Sequence, residues 1–167
     1  LNMRAFAAIA ERLSKQAVRY KRPYTVLMID SDDLKSINDE FGHETGNRLL
    51  KMLAQCMKAE LRATDIVARY GGDEFILLLP ETGAAGGEKL AARIRQRVEQ
   101  AVLSTRSRPV TTTVSVGIAS QPEHGSDFAA ITERADQALY RSKTAGKNRV
   151  TVAPSVAYIA AAAQYLR

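Results

Sequence analysis

The acidic residues best suited to chemistry stand at the ends of apolar runs. Asp30 follows the β-branched run at residues 25–29, while Asp73 and Glu74 end the turn-like segment 71–74 between two further runs. If these runs are neighbouring strands, the carboxylates converge, and each pair at about 4 Å repels by about 4 kcal/mol at an effective dielectric constant of 20. A cation would remove that cost, and Mg²⁺ shared with phosphates suits such ligands. The pattern indicates a nucleotide polyphosphate site, but spacing alone equally allows a solvated turn with Asp30 as a helix cap.

The same acidic segment begins like a calcium-binding EF-hand loop, because Asp30, Asp32 and Asp33 have a similar spacing. That loop requires a glycine at its sharp turn and a bidentate glutamate at its last position. Lys35 and Phe41 occupy those two positions here. The sequence therefore excludes an EF-hand.

Basic residues cluster near the carboxyl end of the chain, where Arg141, Lys143, Lys147 and Arg149 flank Gly146. The cluster could bind phosphate, or it could be the ordinary cationic end of a helix, which the macrodipole favours. The chain has 24 Lys and Arg against 18 Asp and Glu, and its net charge of +6 suits an anionic partner. No nucleic acid is expected as that partner, because Trp is absent and no strand presents paired aromatics for base stacking.

Composition limits the class of protein further. With 167 residues, 46% of them apolar, the chain can bury about 70% of its unfolded surface around one core. The single cysteine, Cys56, lies among Leu53, Met57 and Leu61, which indicates a packed, reduced thiol and a cytoplasmic compartment. No apolar run approaches the roughly 20 residues of a membrane helix, and the first residues do not resemble a signal peptide. We therefore expect neither a membrane span nor export of this segment.

Apolar periodicity and turn residues predict helices and strands in the order α-β-α-α-β-β-α-β-α-β. Gly42 divides two helices, the second of which begins near Gly46, and a later helix keeps Val102 on its inward face. An alternating strand runs over residues 110–118. These elements predict an α+β sandwich in which helices cover one mostly antiparallel sheet. Residues 153–167 are expected to form a helical tail or linker outside this core.

Residues 69–75 read RYGGDEF, which resembles the signature of GGDEF-domain diguanylate cyclases. Residues 30–46, DSDDLKSINDEFGHETG, are similar to the family's DIDxFKxxND segment and the FGHxxG that follows it. Residues 114–119 (VSVGIA) and 135–148 (ADQALYRSKTAGKN) resemble two later blocks in the same order and spacing. Residues 1–6 (LNMRAF) resemble the end of the opening block. The expected GGDEF domain therefore covers residues 1–152.

The resemblance implies a nucleotidyl-cyclase fold related to the polymerase palm, with a five-stranded sheet. It implies condensation of two GTP molecules into cyclic di-GMP with release of pyrophosphate, in a homodimer whose two sites face each other. Asp30 and Asp73 would ligate two Mg²⁺ ions, or Mn²⁺ in their place, with help from the backbone carbonyl of Ser31. Asp73 would also be the base for the attacking 3′-hydroxyl, and Glu74 would complete the acidic site.

The resemblance also assigns residues that hold the substrate. Lys35 would neutralise charge near the reacting phosphate, and Lys143 and Lys147 would bind the β and γ phosphates. Residues that would approach the base or the rest of the nucleotide are Asn38, His43, Asn47, Gly71 and Gly72. The two glycines suit a place where a nucleotide comes close to the backbone.

The chain departs from the family pattern at the base. Where the family usually has an aspartate that contacts guanine, this chain has Asn47. An amide has one acceptor oxygen in place of two and adds donors that guanine's donors cannot use, a mismatch of about 1 to 3 kcal/mol. Three further departures are expected to be mild. Ser31 stands where the family usually has an apolar residue, Leu34 where it has a phenylalanine, and Lys147 where it has an arginine. Asn47 keeps open the alternative of a non-catalytic module that senses GTP or cyclic di-GMP.

A further resemblance concerns regulation. Residues 62–65 form an RxxD motif before the hairpin, as in the family's product-inhibition site, and Arg93 matches a secondary arginine of that site. Arginine forks suit a phosphate-bridged dinucleotide, so Arg62, Asp65 and Arg93 are expected to bind cyclic di-GMP as a feedback inhibitor. An exposed Arg–Asp pair at a helix end would look the same. A sensor domain is expected before this segment in its parent protein, which could itself be membrane-anchored.

Overall fold

The computed structural model describes residues 2–165, with side chains described up to residue 160. The strands are β1 Tyr24–Ser31, β2 Ile66–Arg69, β3 Glu74–Pro80, β4 Val114–Gln121 and β5 Val150–Val152. The helices are α1 Met3–Arg19, α2 Leu34–Glu60, α3 Ala84–Gln100, α4 Phe128–Thr144 and α5 Val156–Tyr165.

The strands of the described residues form one five-stranded sheet in the order β2-β3-β1-β4-β5. All neighbouring strands are antiparallel except β4 and β5, which are parallel. The mostly antiparallel α+β sandwich predicted from the sequence is therefore confirmed. The order places β1 at the centre, between the β2–β3 hairpin and β4, so that the end of β1 meets both.

The sheet separates two hydrophobic cores. Alternate residues of a strand point to opposite faces, and Leu27 and Ile29 of β1 pack into the core formed with α2 and α3. Val26 and Met28 pack into the second core, formed with α1 and α4. Burial of such side chains contributes roughly 1.5 to 3 kcal/mol each. The strand that carries Asp30 is therefore firmly held on both faces, and Asp30 continues the face of Val26 and Met28.

The break at Gly42 is present, but the helix after it begins earlier than predicted. Gly42 has φ 81° and ψ 161°, a conformation that strains any residue with a side chain. Helix resumes at once, so Leu34–Glu60 is one kinked element. Gly46 instead lies inside the helix, where an added Cβ would stand 1.9 Å from Asn38 Oδ1. Position 46 thus requires a glycine because the backbone there packs closely against the Asn38 side chain.

Two predictions between α3 and β4 are wrong. α3 ends at Gln100, and Val102 is 57% exposed because it lies beyond the helix. β4 begins at Val114. Val110 instead forms an isolated bridge with Leu103, with N–H to carbonyl distances of 2.8 and 2.9 Å. Val110 is nevertheless buried, which explains why the alternation of this segment resembles a longer strand.

The core also extends slightly beyond its predicted end. Ala153 is 5% exposed, and its N–H donates to the carbonyl of Ile118 at 2.8 Å. It therefore belongs to the second core rather than to the segment outside it. α5 follows, and the N–H of Val156 donates to the carbonyl of Glu123 at 3.0 Å. Among residues 2–165, no helix combines the length and the apolarity needed to cross a membrane.

Candidate active site

Three carboxylates meet where β1 ends beside the tip of the β2–β3 hairpin. Asp30 is the direct cross-strand partner of Glu74, and such partners have their side chains on the same face, with Cβ atoms about 5 Å apart. The N–H of Ser31 donates to the carbonyl of Asp73 at 3.3 Å. The structure therefore brings together Asp30, Asp73 and Glu74, which we call the carboxylate edge.

The hairpin turn is shaped by its own backbone and by Arg69. The N–H of Tyr70 donates to the carbonyl of Glu74 at 2.7 Å, and Arg69 Nε donates to the carbonyl of Gly72 at 3.1 Å. A Cβ at Gly71 would lie 2.7 Å from Glu74 Oε2. Gly71 thus gives room to the Glu74 carboxylate, an intramolecular requirement that sequence reasoning did not anticipate.

Burial and like charges make the carboxylate edge electrostatically unfavourable. Burial raises the pKa of Asp30, the carboxylates of Asp73 and Asp32 raise it further, and Lys143 opposes them. Burial also raises the pKa of Glu74, with additional repulsion from Asp30, Asp136 and Asp73. Asp136 lies on α4, and sequence reasoning did not connect it with this edge. The edge would gain from additional positive charge.

Lys143 contacts the carboxylate edge at Asp30, and Lys147 lies beside it at Asp32 and Asp33. Lys143 Nζ is 2.9 Å from Asp30 Oδ1 and donates to the carbonyl of Ser31 at 2.9 Å. Lys147 Nζ donates to the carbonyl of Asp32 at 2.9 Å. The Ser31 carbonyl that the resemblance assigns to a metal therefore faces the ammonium of Lys143.

The donor set suits a hard divalent cation. Asp30 Oδ1 is buried and accepts no hydrogen bond of good geometry, although Lys143 Nζ is nearby. Carboxylate and carbonyl oxygens are the ligands that Mg²⁺ prefers, and it is commonly held by one or two carboxylates plus substrate phosphates. Within the described part of the chain, no three His, Cys, Asp or Glu side chains form a metal cage. Because Mg²⁺ commonly takes its remaining ligands from substrate phosphates, this donor set fits such an ion.

An open pocket of about 370 Å³ adjoins the carboxylate edge. Residues that the resemblance assigns to the substrate line this pocket, together with Asp73 of the hairpin turn. They are Lys35, Asn38, His43, Asn47 and Gly72. The kink at Gly42 turns the two halves of α2 around this pocket. These residues thus share one surface, while Lys143 and Lys147 contact Asp30 and Asp32 outside the pocket lining.

Asp32 contrasts with Asp30, although the two are separated by one residue. Its side chain is fully buried, and its oxygens accept hydrogen bonds from Ser115 Oγ and Thr113 Oγ1, both at 2.6 Å. Burial acts to raise the pKa of Asp32, but these bonds, the N–H of Asn148 and Lys143 together hold it below its ordinary value. Sequence reasoning noticed Asp32 only as part of an EF-hand pattern and missed this environment.

The predicted product site lies at the other end of α2. The N–H of Arg62 donates to Asp65 Oδ2 at 2.8 Å, which folds the RxxD segment into a turn. Arg93 Nε of α3 donates to Glu60 Oε2 at 2.8 Å, and Arg97 binds the other oxygen of Glu60. These arginines lower the pKa of Glu60. Arg93 therefore contacts Glu60, which lies two residues before Arg62 along the chain.

The chain is similar to proteins of one known family. The family model "Diguanylate cyclase, GGDEF domain" matches residues 1–149 of the chain. The chain belongs to the GGDEF-domain family of diguanylate cyclases. Diguanylate cyclase DgcP of Pseudomonas aeruginosa is 39% identical over 150 residues, which are 88% of this chain. The chain spans only 22% of the length of that relative.

Solved GGDEF domains have the same fold. The GGDEF domain of DgcB from Caulobacter crescentus, in complex with c-di-GMP, is 32% identical with a TM-score of 0.85, over 90% of each chain. The active GGEEF domain of a diguanylate cyclase from Vibrio cholerae is 32% identical with a TM-score of 0.86, over 92% of this chain and 97% of that one. In this GGDEF domain, motif residues 71–74 thus lie at the tip of the β2–β3 hairpin, where Asp73 and Glu74 form part of the carboxylate edge.

Proposed function

We propose that this domain condenses two GTP molecules into cyclic di-GMP and releases two pyrophosphates. The observation that carries the proposal is the meeting of Asp30, Asp73 and Glu74 beside a pocket lined by Asn38 and Asn47. Membership of the GGDEF-domain family supports the same activity. An acidic edge, a base pocket and two lysines are the parts that nucleotidyl transfer requires.

The acids would hold the metal. Asp30 and Asp73, with the carbonyl of Ser31, are the ligands we assign to two Mg²⁺ ions, for which Mn²⁺ could substitute. When bound, such ions acidify the attacking hydroxyl and stabilise charge on the reacting phosphate. The raised pKa of Asp30 and of Glu74, which persists although Lys143 lies 2.9 Å from Asp30 Oδ1, supports this assignment, because a divalent cation would relieve the repulsion between the acids.

The remaining side chains would bind substrate and move its proton. Asp73 accepts the proton of the 3′-hydroxyl as that oxygen bonds to the α-phosphorus of the other GTP, and the bond from that phosphorus to pyrophosphate breaks. Lys35 neutralises charge near the reacting phosphate. Lys143 and Lys147 bind the β and γ phosphates, which become the leaving group. Lys143 contacts Asp30 and Lys147 contacts the backbone carbonyl of Asp32, and these positions next to the acids support this role.

The base would lie in the pocket beside the first half of α2. Asn38 faces guanine, Asn47 contacts its edge, and His43 lies close by. All three line the pocket that adjoins Asp73. Each domain then holds one GTP, so two domains must face each other as a homodimer for each 3′-hydroxyl to reach the other nucleotide.

Incubation of the purified protein with GTP and Mg²⁺ tests the proposal. We expect cyclic di-GMP and pyrophosphate in a ratio of one to two, and neither product when the metal is chelated by EDTA. Chromatography of the nucleotides and a pyrophosphate assay measure both. GTP binding without either product would contradict the proposal and favour a sensor module.

We further propose that cyclic di-GMP inhibits the enzyme through Arg62, Asp65 and Arg93. The turn closed by Asp65 and the position of Arg93 beside Glu60 support a phosphate-binding surface at this end of α2. Inhibition constants for cyclic di-GMP should rise at least about tenfold in Arg62→Ala, because one guanidinium–phosphate contact is lost. Arg12→Ala, an exposed change on α1, is the matched control. Unchanged inhibition in Arg62→Ala would remove the claim.

A further inference from the structure

Asp32 is a buried carboxylate that the proposed reaction leaves without a role. Its side chain has no exposed surface, and its two oxygens are bound from several directions. Oδ1 accepts from Ser115 Oγ at 2.6 Å, and Oδ2 accepts from Thr113 Oγ1 at 2.6 Å and from the N–H of Asn148 at 3.0 Å. A carboxylate held this way keeps one orientation.

Asp32 also contacts both lysines assigned to the phosphates. Its Oδ1 lies 3.2 Å from Lys143 Nζ, and its backbone carbonyl accepts from Lys147 Nζ at 2.9 Å. The two lysines come from different places, Lys143 from α4 and Lys147 from the loop that follows it. A lysine side chain loses considerable conformational entropy when it is fixed, so a fixed partner prepares it for its ligand.

The loop that carries Lys147 is held in an unusual conformation. Lys147 has φ 61° and Asn148 has φ 47°, both in the left-handed region, which costs a residue such as lysine roughly 1 to 2 kcal/mol and asparagine less. Hydrogen bonds of the Asn148 side chain compensate for this conformational cost. Its Oδ1 accepts from Arg95 at 2.8 Å, and its Nδ2 donates to Glu99 at 2.7 Å. Since the N–H of the same residue binds Asp32, the loop is fastened to α3 on one side and to Asp32 on the other.

We propose that Asp32 and Asn148 are positioning residues, which together fix Lys143 and Lys147 for the polyphosphate of the nucleotide. The inference rests on the proposed function for the identity of the nucleotide. It requires no contact between either residue and substrate. Its consequence is specific, because a loss of positioning should weaken the binding of phosphates and leave the binding of the base unchanged.

Equilibrium binding separates this role from a general structural one. The probes are α,β-methylene GTP with Mg²⁺, which cannot release pyrophosphate, and guanosine, which has no phosphate. The variants are Asp32→Asn, of nearly the same shape, and Asn148→Gly, which accepts the left-handed φ and removes only the amide. The control is Asp127→Asn, because asparagine preserves an exposed helix cap at that position.

We expect Asp32→Asn to raise the dissociation constant of the methylene analogue about tenfold and Asn148→Gly about threefold, the loss of one or two charge-assisted contacts. Asp127→Asn should change it less than about twofold. Guanosine binding should stay within about twofold in every variant. Unchanged analogue binding in both test variants, or an equal loss of guanosine binding, would overturn the positioning role.

The test is independent of turnover. A native protein that binds the methylene analogue but makes no cyclic di-GMP would contradict the proposed function, while the comparison of variants would still decide the positioning role. If Asp32→Asn does not fold, as its thermal unfolding curve would show, Asn148→Gly decides alone.

Discussion

The two ends of α2 present opposite electrostatic problems. At the carboxylate edge, burial and mutual repulsion raise the pKa of Asp30 and Glu74, and Lys143 only partly compensates. At the far end, Glu60 is shared by Arg93 and Arg97, which lower its pKa. We call Glu60, Arg62, Arg93 and Arg97 the arginine end. The carboxylate edge has an excess of acidic side chains, and the arginine end has an excess of basic side chains.

This difference shows what each region can bind. Acids that repel each other are stabilised by a cation, and arginines that outnumber their carboxylates are stabilised by an anion. The net charge of +6 predicts an anionic partner for the whole chain but not this division. The charge left uncompensated by folding would therefore suit the metal-bound triphosphate that we propose at one end and the phosphate-bridged dinucleotide that we propose at the other.

The largest expected effect comes from removing charge at the carboxylate edge. Asp73→Asn should lower kcat for cyclic di-GMP formation by at least about hundredfold, because it removes the proposed metal ligand and base. Circular dichroism should show an unchanged fold. Glu11→Gln, an equivalent change on the exposed face of α1, should leave kcat unchanged. Substantial turnover in Asp73→Asn would show that the acids at this edge are not the catalytic group.

Adding a carboxylate at position 47, in the pocket beside the carboxylate edge, tests the proposed contact with the base. Asn47→Asp restores two acceptor oxygens toward guanine, and we expect the KM for GTP to fall about tenfold. Asn47→Ser is the comparison, since it offers no second acceptor. An unchanged KM in Asn47→Asp would mean that Asn47 does not contact the base edge.

Neutralising one acid of the edge should stabilise the fold at the expense of activity. Asp30→Asn removes a carboxylate whose pKa is raised by burial and by its acidic neighbours. We expect the free energy of unfolding at neutral pH to increase by about 1 kcal/mol, measured by urea denaturation. A decrease would mean that the ion pair with Lys143 outweighs the repulsion.

The corresponding change at the arginine end should have the opposite sign and a smaller size. Because Glu60 has a lowered pKa in the folded state, its contribution is complete above its ordinary pKa of 4.5 and disappears as pH falls through the folded value. Glu60→Gln should therefore lower the free energy of unfolding by about 0.5 kcal/mol at pH 7. The difference from native protein should vanish at the acid end of a pH series of denaturation curves. A difference that persists there would exclude the ion pairs as its cause.

Asp30, Asp73 and Glu74 come together because Asp30 lies near the end of an apolar strand and the other two lie at the tip of the hairpin beside it. Strand ends and tight turns are local signals, and a hairpin beside a central strand brings them to one edge. The error at Val102 arose because α3 ends at Gln100, before the apolar spacing does, whereas the error over residues 110–113 has a tertiary cause. Val110 is buried beside Leu103 outside any strand, and burial without regular structure has the same apolar alternation as a strand.

The sequence by itself determined the family, the order of elements and the residue types available to hold metal, base and phosphate. Only the tertiary structure decided which distant groups became neighbours. Asp32 meets the N–H of Asn148 across 116 residues, and Glu60 meets Arg93 across 33. Charge interactions and desolvation depend on distances in the folded chain. For that reason two aspartates one residue apart, Asp30 and Asp32, have pKa values shifted in opposite directions.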